Sequence, residues 1–146
     1  MDMGTEEAII KGMREKGLKI TAQRRAIIEA LVELGNLHPG ASLVYRAAKK
    51  KRRSLSLSTT YATLDELSRH GLIKTLQFDR MENRCEMNRE EHINLICGGC
   101  GKIVDYPSRI GVDENDVTKE TGFTITDARL EYYGYCKECG KNRSSS

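Results

Sequence analysis

Two short cysteine motifs constrain the fold of this chain more than any other feature. They read Cys97-Gly-Gly-Cys100-Gly-Lys and Cys136-Lys-Glu-Cys139-Gly-Lys. Cysteine pairs at this spacing either bind metal or form redox-active dithiols. A redox centre needs only one such motif, at a strand-to-helix turn. The two motifs look like copies of one metal-binding turn, and we call each Cys-x-x-Cys-Gly-Lys motif a knuckle. We therefore predict a single tetrahedral zinc ion bound by all four thiolates.

The segment that carries both knuckles is short. Residues 89–146 are too few to bury a large apolar core, and segments of this size are only marginally stable alone. Apparent zinc binding of about 10–16 kcal/mol would therefore dominate its folding. Four thiolates leave no open coordination position, which favours a structural ion. The fifth cysteine, Cys85, alternates with Met87, and we predict a small buried hydrophobe there.

Charge is divided unevenly along the chain. Residues 1–88 contain 16 Lys and Arg against 11 Asp and Glu, net +5, and residues 89–146 contain 8 against 10, net −2, consistent with the total of +3. The first part is the candidate for a polyanionic partner such as double-stranded DNA. The alternative is a solvated basic face without a partner.

The composition, 38% hydrophobic and 31% charged, is that of a soluble globular protein. No stretch approaches the roughly 18 apolar residues of a membrane-spanning helix. The first residues show no basic segment followed by an apolar one, so we expect a cytoplasmic protein without a signal peptide. No nucleophile and general base form a recognisable pattern, so the sequence predicts neither an enzyme nor a small-molecule substrate.

The elements predicted in residues 1–88 follow the order of a winged helix-turn-helix. Apolar periodicity and cap residues predict four helices and then two strands, over Glu6–Glu15, Thr21–Leu34, Ala41–Lys51, Ser56–His70, Leu72–Phe78 and Arg84–Met87, with Ser56 or Ser58 as the cap of the fourth helix. The fourth helix is placed to enter a major groove, with Leu57, Thr60, Leu64 and Leu67 on its apolar side. The basic run Lys49–Arg53 either stabilises the end of the third helix or binds phosphate.

Residues 89–146 are predicted to form a small α/β unit. We predict strands over Asn94–Ile96, Lys102–Tyr106 and Phe123–Tyr133, a helix over Val112–Thr121 and a disordered tail from Asn142. Each knuckle then lies at the end of a strand. The fold class is α+β, with a domain boundary at residues 88–91.

Five stretches together resemble the ferric uptake regulator (Fur) family, and the likeness covers nearly the whole chain. They are GLKITAQRRAIIEAL, HPGASLVY, SLSTTYATLDELSRHGLI, the first knuckle with GKIVDY, and GFTITDARLEYYGYCKEC. The resemblance implies a homodimeric, metal-responsive transcription regulator, a repressor that binds palindromic operators. It implies a winged-helix DNA-binding domain over residues 1–88 and a zinc-stapled dimerisation domain over residues 89–146.

The resemblance also assigns DNA contacts. Tyr61 matches a residue that touches a base edge, while the hydroxyls of Ser56 and Thr59 match phosphate contacts. Lys19 matches a basic residue near the minor groove, and Arg24 matches the arginine that opens the second helix. An arginine often follows the tyrosine in this family, but this chain has Ala62. From the residues alone, the alternative is that Tyr61 is a flank residue that closes the core.

A regulatory metal site is implied in the same way. Its matching positions are His38, Glu86, His92, Asn94 and Asp105. The family expects histidine at 94, where this chain has asparagine, and a further histidine, commonly part of a second site, at 128, where this chain has alanine. Fewer imidazoles make a harder site, which favours Fe2+ or Mn2+ over Zn2+.

Three alternatives remain open at this point. The regulatory site has decayed and DNA binding is independent of metal, or the chain is a zinc-ribbon protein-interaction module, or it is a thiol-redox module. Peroxide sensing would need Fe2+ beside His38 and His92. At position 86 this chain has Glu, whereas resemblance to a peroxide sensor would call for Asp.

Overall fold

The computed structural model describes residues 3–79, 81–87, 92–107 and 113–143. The chain divides into two compact units, Met1–Asn88 and Arg89–Ser146. Helices and antiparallel strands follow one another in the first unit, and a three-stranded sheet with two helices forms the second. The predicted α+β class is therefore confirmed.

The first unit is a winged helix. Its elements are α1 (Met3–Glu15), α2 (Ala22–Leu34), a 3-10 turn (Gly35–Leu37), α3 (Ala41–Lys51), α4 (Leu57–Arg69), β1 (Lys74–Leu76) and β2 (Arg84–Glu86). β1 and β2 pair antiparallel, with Leu76 opposite Arg84. The pairing covers only three residues in each strand, so both strands are shorter than predicted. Among the described residues, no helix is long and apolar enough to cross a membrane.

Capping hydroxyls set the beginnings of α2 and α4, as predicted. Thr21 Oγ1 accepts a hydrogen bond from Arg24 N at 3.1 Å, and Ser56 Oγ accepts one from Thr59 N at 3.1 Å. Such caps satisfy backbone donors that the first helical turn leaves unbonded. His70 is the C-cap of α4. These ends fix which residues of α4 reach the surface.

The buried face of α4 differs from the prediction at two positions. Leu57 is 43% exposed, whereas Thr63 is 4% exposed and packs with Thr60, Leu64 and Leu67. At 100° per residue, Leu57 falls at the margin of this face, and it lies in the first turn, at the end of the helix. The prediction that Leu57 is a core residue was wrong for that reason.

The turn before α3 is hydrogen-bonded to the wing. Cys85 N donates to Pro39 O at 2.8 Å, and the Arg84 guanidinium donates to His38 O at 3.2 Å. In the wing loop, the Glu82 carboxylate accepts from the backbone N and hydroxyl of Ser42, at 3.1 and 2.8 Å. The N-cap of α3 is a glycine, so Glu82 supplies the oxygen that a capping side chain would otherwise provide. His38 is therefore tied to the strand that carries Glu86.

The second unit is built on a sheet of order β4-β3-β5. Its elements are β3 (Ile93–Cys97), β4 (Ile103–Tyr106), α5 (Glu114–Thr121), β5 (Glu131–Gly134) and α6 (Lys137–Arg143). β4 pairs antiparallel with β3, and β5 pairs parallel with it. Asp113 caps α5, and its side chain accepts from Asn115 N at 2.8 Å.

Two expectations for the second unit were wrong. The predicted strand 123–133 is a strand only over Glu131–Gly134, because β3 offers partners only from Asn94 to Cys97. The expected disorder from Asn142 is also wrong for two residues, since α6 continues to Arg143. Residues 144–146 lie outside the described residues. α6 has no apolar stripe, so periodicity gave no signal for it.

Candidate metal and nucleic-acid sites

The parallel pairing of β3 and β5 brings the two knuckles together. Cys97 ends β3 opposite Gly134 of β5, so Cys136 follows close behind and Cys139 lies in α6. The four Sγ atoms all lie within 4.8 Å of one another. Cys100 Sγ is 3.8 Å from Cys136 Sγ. Tetrahedral zinc with Zn–S of about 2.3 Å requires sulfurs about 3.8 Å apart, so the cluster fits structural zinc.

Backbone amides donate hydrogen bonds to this cluster and stabilise negative charge on its sulfur atoms. Cys97 Sγ accepts hydrogen bonds from the backbone N of Cys136 and of Gly99, both at 3.3 Å. The amide of Cys136, with further amide donors, lowers the pKa of Cys97 to about 6. The neighbouring Cys136 sulfur raises the pKa of Cys139 to about 12. Cys97 therefore ionises more readily than Cys139, and a divalent cation would offset the charge of the ionised thiolates.

Glycine is required in the first knuckle. A Cβ at Gly99 would lie 2.8 Å from Cys139 Sγ and 3.0 Å from Cys139 Cβ.

The fifth thiol, Cys85, is 4% exposed in the core of the first unit, where burial raises its pKa to about 11. Cys85 is a buried hydrophobe, as predicted.

In the first unit, His38 forms a buried pair with Glu86. Their side chains are each 1% exposed, and Nε2 lies 3.6 Å from Oε1. This distance is longer than a hydrogen bond and close to the spacing of two donor atoms that share one ion. His38 is also the one non-glycine residue with positive φ (+51°) in the described part of the chain. Backbone strain of this kind occurs at functional sites more often than elsewhere.

In the second unit, His92 forms a similar pair with Asp105. Nε2 lies 3.6 Å from Oδ1, and the side chains are 8% and 13% exposed. Asn94 is opposite Asp105 in the β3–β4 ladder and is two residues from His92, so all three belong to one face of this sheet. The amide oxygen of Asn94 is buried and accepts no hydrogen bond from the described residues. This face therefore offers an imidazole, a carboxylate and an amide oxygen.

Helix α4 presents polar and aromatic groups to solvent. Tyr61 is 49% exposed, so it does not close the core. Ser56 is exposed at the start of the helix, and its hydroxyl contacts Thr59 Oγ1 at 2.9 Å. Beside them, Lys19, Ala62 and other residues line a cleft of about 470 Å³. These positions suit contact with a long ligand that lies across the helix.

Arg24 is engaged within the protein. Its Nη2 donates to Glu66 Oε2 at 2.6 Å, and its Nη1 donates to Lys19 O at 2.8 Å. The Arg24 and Glu66 side chains are 23% and 24% exposed. Sequence reasoning missed Glu66, since no local signal pairs residues that are 42 positions apart. Arg24 thus joins α4 to the segment that carries Lys19.

For a chain that binds DNA through α4, we predict that Arg24→Ala weakens this binding by loosening Lys19 and α4 rather than by removing a phosphate contact. Binding should weaken severalfold, but the slope of log K against log salt should stay within about 0.5 of the wild type, because each lost phosphate contact makes this negative slope shallower by about 0.9. Binding measured from 50 to 200 mM NaCl checks this. Glu66→Ala should weaken binding in the same way. The prediction would be contradicted if Arg24→Ala alone made the salt slope shallower by the amount of one phosphate contact, about 0.9.

These features define a class of proteins in which a winged-helix unit is followed by a unit with a four-cysteine metal centre. A model of the ferric uptake regulator family matches residues 15–133. The chain belongs to this family. It is therefore a regulator of the metal-responsive kind.

Individual relatives agree with this assignment. The chain is 37% identical over 139 residues to the peroxide operon regulator of Bacillus subtilis, covering 92% of this chain and 93% of that protein. The Helicobacter pylori ferric uptake regulator, described with three functional metal-binding sites, superposes with a TM-score of 0.72 at 25% identity, covering 92% and 93% of the two chains. A zinc-bound manganese uptake regulator superposes with a TM-score of 0.66 at 29% identity, covering 88% of this chain and 98% of that chain.

Proposed function

We propose that this protein is a homodimeric, DNA-binding repressor whose affinity for a palindromic operator depends on a bound divalent ion. The ligands of this ion would be His38, Glu86, His92 and Asp105, with Asn94 as a further ligand. The observation that carries the proposal is the presence of two buried histidine–carboxylate pairs in one chain, at 3.6 Å each. Buried carboxylates are costly unless they are paired or coordinate a metal. Family membership supports the regulatory role.

The donor set favours Fe2+ or Mn2+. Two imidazoles, two carboxylates and an amide oxygen are harder ligands than a histidine-rich set, and hard ligands suit these ions better than they suit zinc. The four thiolates of the knuckles have the opposite preference and suit zinc. The two ions would therefore sort between the two sites by ligand chemistry.

The ion would act by restricting the motion of one unit against the other, because its ligands come from both. In a dimer this restriction sets the separation of the two α4 helices, which must match about 34 Å for each turn of DNA. The ion strengthens DNA binding only if its ligands hold it better in the DNA-competent arrangement. A hundredfold preference corresponds to about 2.7 kcal/mol.

Selection from a random DNA library tests the proposal and identifies the operator in the same experiment. Zinc-loaded protein with Mn2+ is incubated with a library of duplexes that contain 30 random base pairs, and bound duplexes are amplified and sequenced. We expect an inverted repeat whose half-sites lie one or two helical turns apart. Recovery of unrelated sequences, or of the same sequences without Mn2+, would contradict the proposal.

A face of the second unit suits the dimer contact. β5 is an edge strand in the sheet, and its Tyr132 and Tyr133 are 50% and 69% exposed. Phe123 is also more than half exposed. Exposed aromatic residues on a strand edge mark an interaction surface, and a second copy would cover the same residues by symmetry.

Tyr133→Glu is therefore expected to yield monomers. A charge buried opposite its symmetry mate would cost several kcal/mol, enough to raise the dimer dissociation constant by a hundredfold or more. Sedimentation velocity at micromolar concentration checks this. Glu114→Gln on α5, an exposed change of charge, is the control and should remain dimeric. A Tyr133→Glu variant that sediments as a wild-type dimer would exclude this face.

A second candidate function is a response to peroxide. It is favoured by the similarity to the peroxide operon regulator of Bacillus subtilis. The test compares Fe2+-loaded and Mn2+-loaded protein, prepared without oxygen and exposed to hydrogen peroxide. Loss of DNA binding in the iron form alone would support peroxide sensing, whereas equal retention in both forms would leave metal sensing as the function.

A further inference from the structure

The basic run at the end of α3 divides into two groups by what its side chains contact. Lys51 Nζ lies 2.5 Å from Glu33 Oε1 and 3.9 Å from Glu29 Oε2, both on α2. Lys49 Nζ donates to Tyr45 Oη at 2.8 Å and lies over the same ring, 5.2 Å from its centroid. These two lysines have partners inside the unit. Lys51 joins the last turn of α3 to α2, and Lys49 contacts its own helix.

Lys50, Arg52 and Arg53 form the other group, which we call the basic turn. All three are exposed, and their side chains make no hydrogen bond or ion pair with the part of the chain that the structure describes. Helix geometry explains the division. Lys51 falls about 60° from the buried Ala48, whereas Lys50 lies on the opposite side of the helix, at about 160° from Ala48. Three neighbouring cations thus have no counter-charge in the described residues.

The basic turn leads directly into α4. Arg52 N donates to Ala48 O at 3.0 Å and Leu55 N donates to Arg52 O at 3.1 Å, so the backbone here is a defined turn. Leu55, 1% exposed, anchors it in the core. Arg53 precedes the N-cap Ser56 by three residues, and three residues span at most about 11 Å. A long side chain there can reach a phosphate neighbouring any phosphate that binds at the start of α4.

From these observations we infer that Lys50, Arg52 and Arg53 form a second phosphate-binding element, which contacts the DNA backbone beside the α4 half-site without reading its sequence. The inference rests on the proposed function, because α4 must dock on a duplex. Phosphate contacts supply affinity and register but carry no sequence information directly. Exposed cations with no internal partner lose little when they bind phosphate, since no existing ion pair has to break.

The competing interpretation assigns these charges to the C-terminus of α3, where cations stabilise the helix dipole. That effect falls off within the last turn, and Arg52 and Arg53 follow the last helical residue, Lys51. Lys49, Lys50 and Lys51 already provide cations within the helix. A stabilising role would appear in the melting temperature and not in the salt dependence of DNA binding.

The test measures binding of full-length, zinc- and Mn2+-loaded protein to two duplexes, one recovered by the selection above and one of random sequence with equal length. Dissociation constants are measured from 50 to 200 mM NaCl for the wild type and for the triple variant Lys50→Ala/Arg52→Ala/Arg53→Ala. Three lost phosphate contacts should make the negative slope of log K against log salt shallower by about 2.7. Binding to both duplexes should weaken by the same factor, so that discrimination between them is unchanged.

Two variants with the loss of one charge serve as controls. Lys51→Ala lies in the same run but has internal partners, and Lys119→Ala lies on α5 of the second unit. Both should keep the wild-type slope, and Lys51→Ala should lower the melting temperature. The inference would be overturned if the triple variant kept the wild-type slope, or if each control changed the slope by as much per lost charge as the triple variant does. It would also be overturned if the triple variant changed the ratio of the dissociation constants for the two duplexes.

Failure of the inference is distinguishable from failure of the proposed function. If the wild type selects an operator and the triple variant keeps its slope, only the phosphate-binding element is wrong. If the wild type selects no sequence but the triple variant loses slope on random DNA, the proposed specific regulator is wrong and the phosphate-binding element stands.

Discussion

Replacing Cys139 with alanine is expected to release zinc and to unfold the second unit. Zinc held by four thiolates would contribute about 10–16 kcal/mol of apparent binding free energy, which equals or exceeds the whole stability of a typical small domain. Zinc content per chain and hydrogen exchange of the β3 amides check this. We expect less than about one-tenth of the wild-type zinc, and exchange of the Ile93–Cys97 amides faster by a factor of about a thousand or more.

The chain provides a matched control in its fifth cysteine. Cys85→Ala removes a sulfur from the core of the first unit, so it should lower stability by about 1–2 kcal/mol and keep one zinc per chain. Loss of zinc from Cys85→Ala, or a full zinc complement with wild-type exchange in Cys139→Ala, would show that the metal is not held by the knuckles.

Replacing His92 with alanine should abolish most of the effect of metal on DNA binding while leaving the structural zinc in place. The variant removes one of two imidazoles from the proposed regulatory site, next to Asp105. If the wild type gains about a hundredfold in operator affinity with Mn2+, the variant should gain less than about fivefold, a difference close to 2 kcal/mol. Binding of the selected duplex with and without Mn2+ measures this.

His70 is the control for that experiment. It is the remaining histidine of the three, and it lies at the C-cap of α4, outside the proposed site. His70→Ala should keep the full response to Mn2+. An undiminished response in His92→Ala would remove His92 from the site, and equal losses in both variants would indicate a general effect on folding.

Local chemistry explains what could be predicted from the sequence. The beginnings of α2 and α4 depend on the hydroxyls of Thr21 and Ser56, which act within three residues, so the sequence around each is sufficient. The knuckles are likewise short motifs whose spacing reflects ligand geometry. The winged-helix order followed from these ends together with the apolar periodicity of the helices between them.

What could not be predicted depends on distant partners. The length of β5 is set by β3, which lies far earlier in the chain, and the tie from Arg24 to Glu66 joins residues 42 positions apart. The positive φ of His38 occurs in a turn that is hydrogen-bonded to β2. Such features belong to the packed structure, and no window of neighbouring residues carries them.

The central claim is that a second ion, distinct from the zinc of the knuckles, controls the affinity for DNA. The most direct test is the dissociation constant for the selected duplex, measured on one zinc-loaded sample before and after addition of Mn2+, with zinc quantified in both. We predict binding that is tighter by about a hundredfold at constant zinc. Identical dissociation constants, with Mn2+ shown to be bound, would contradict the claim.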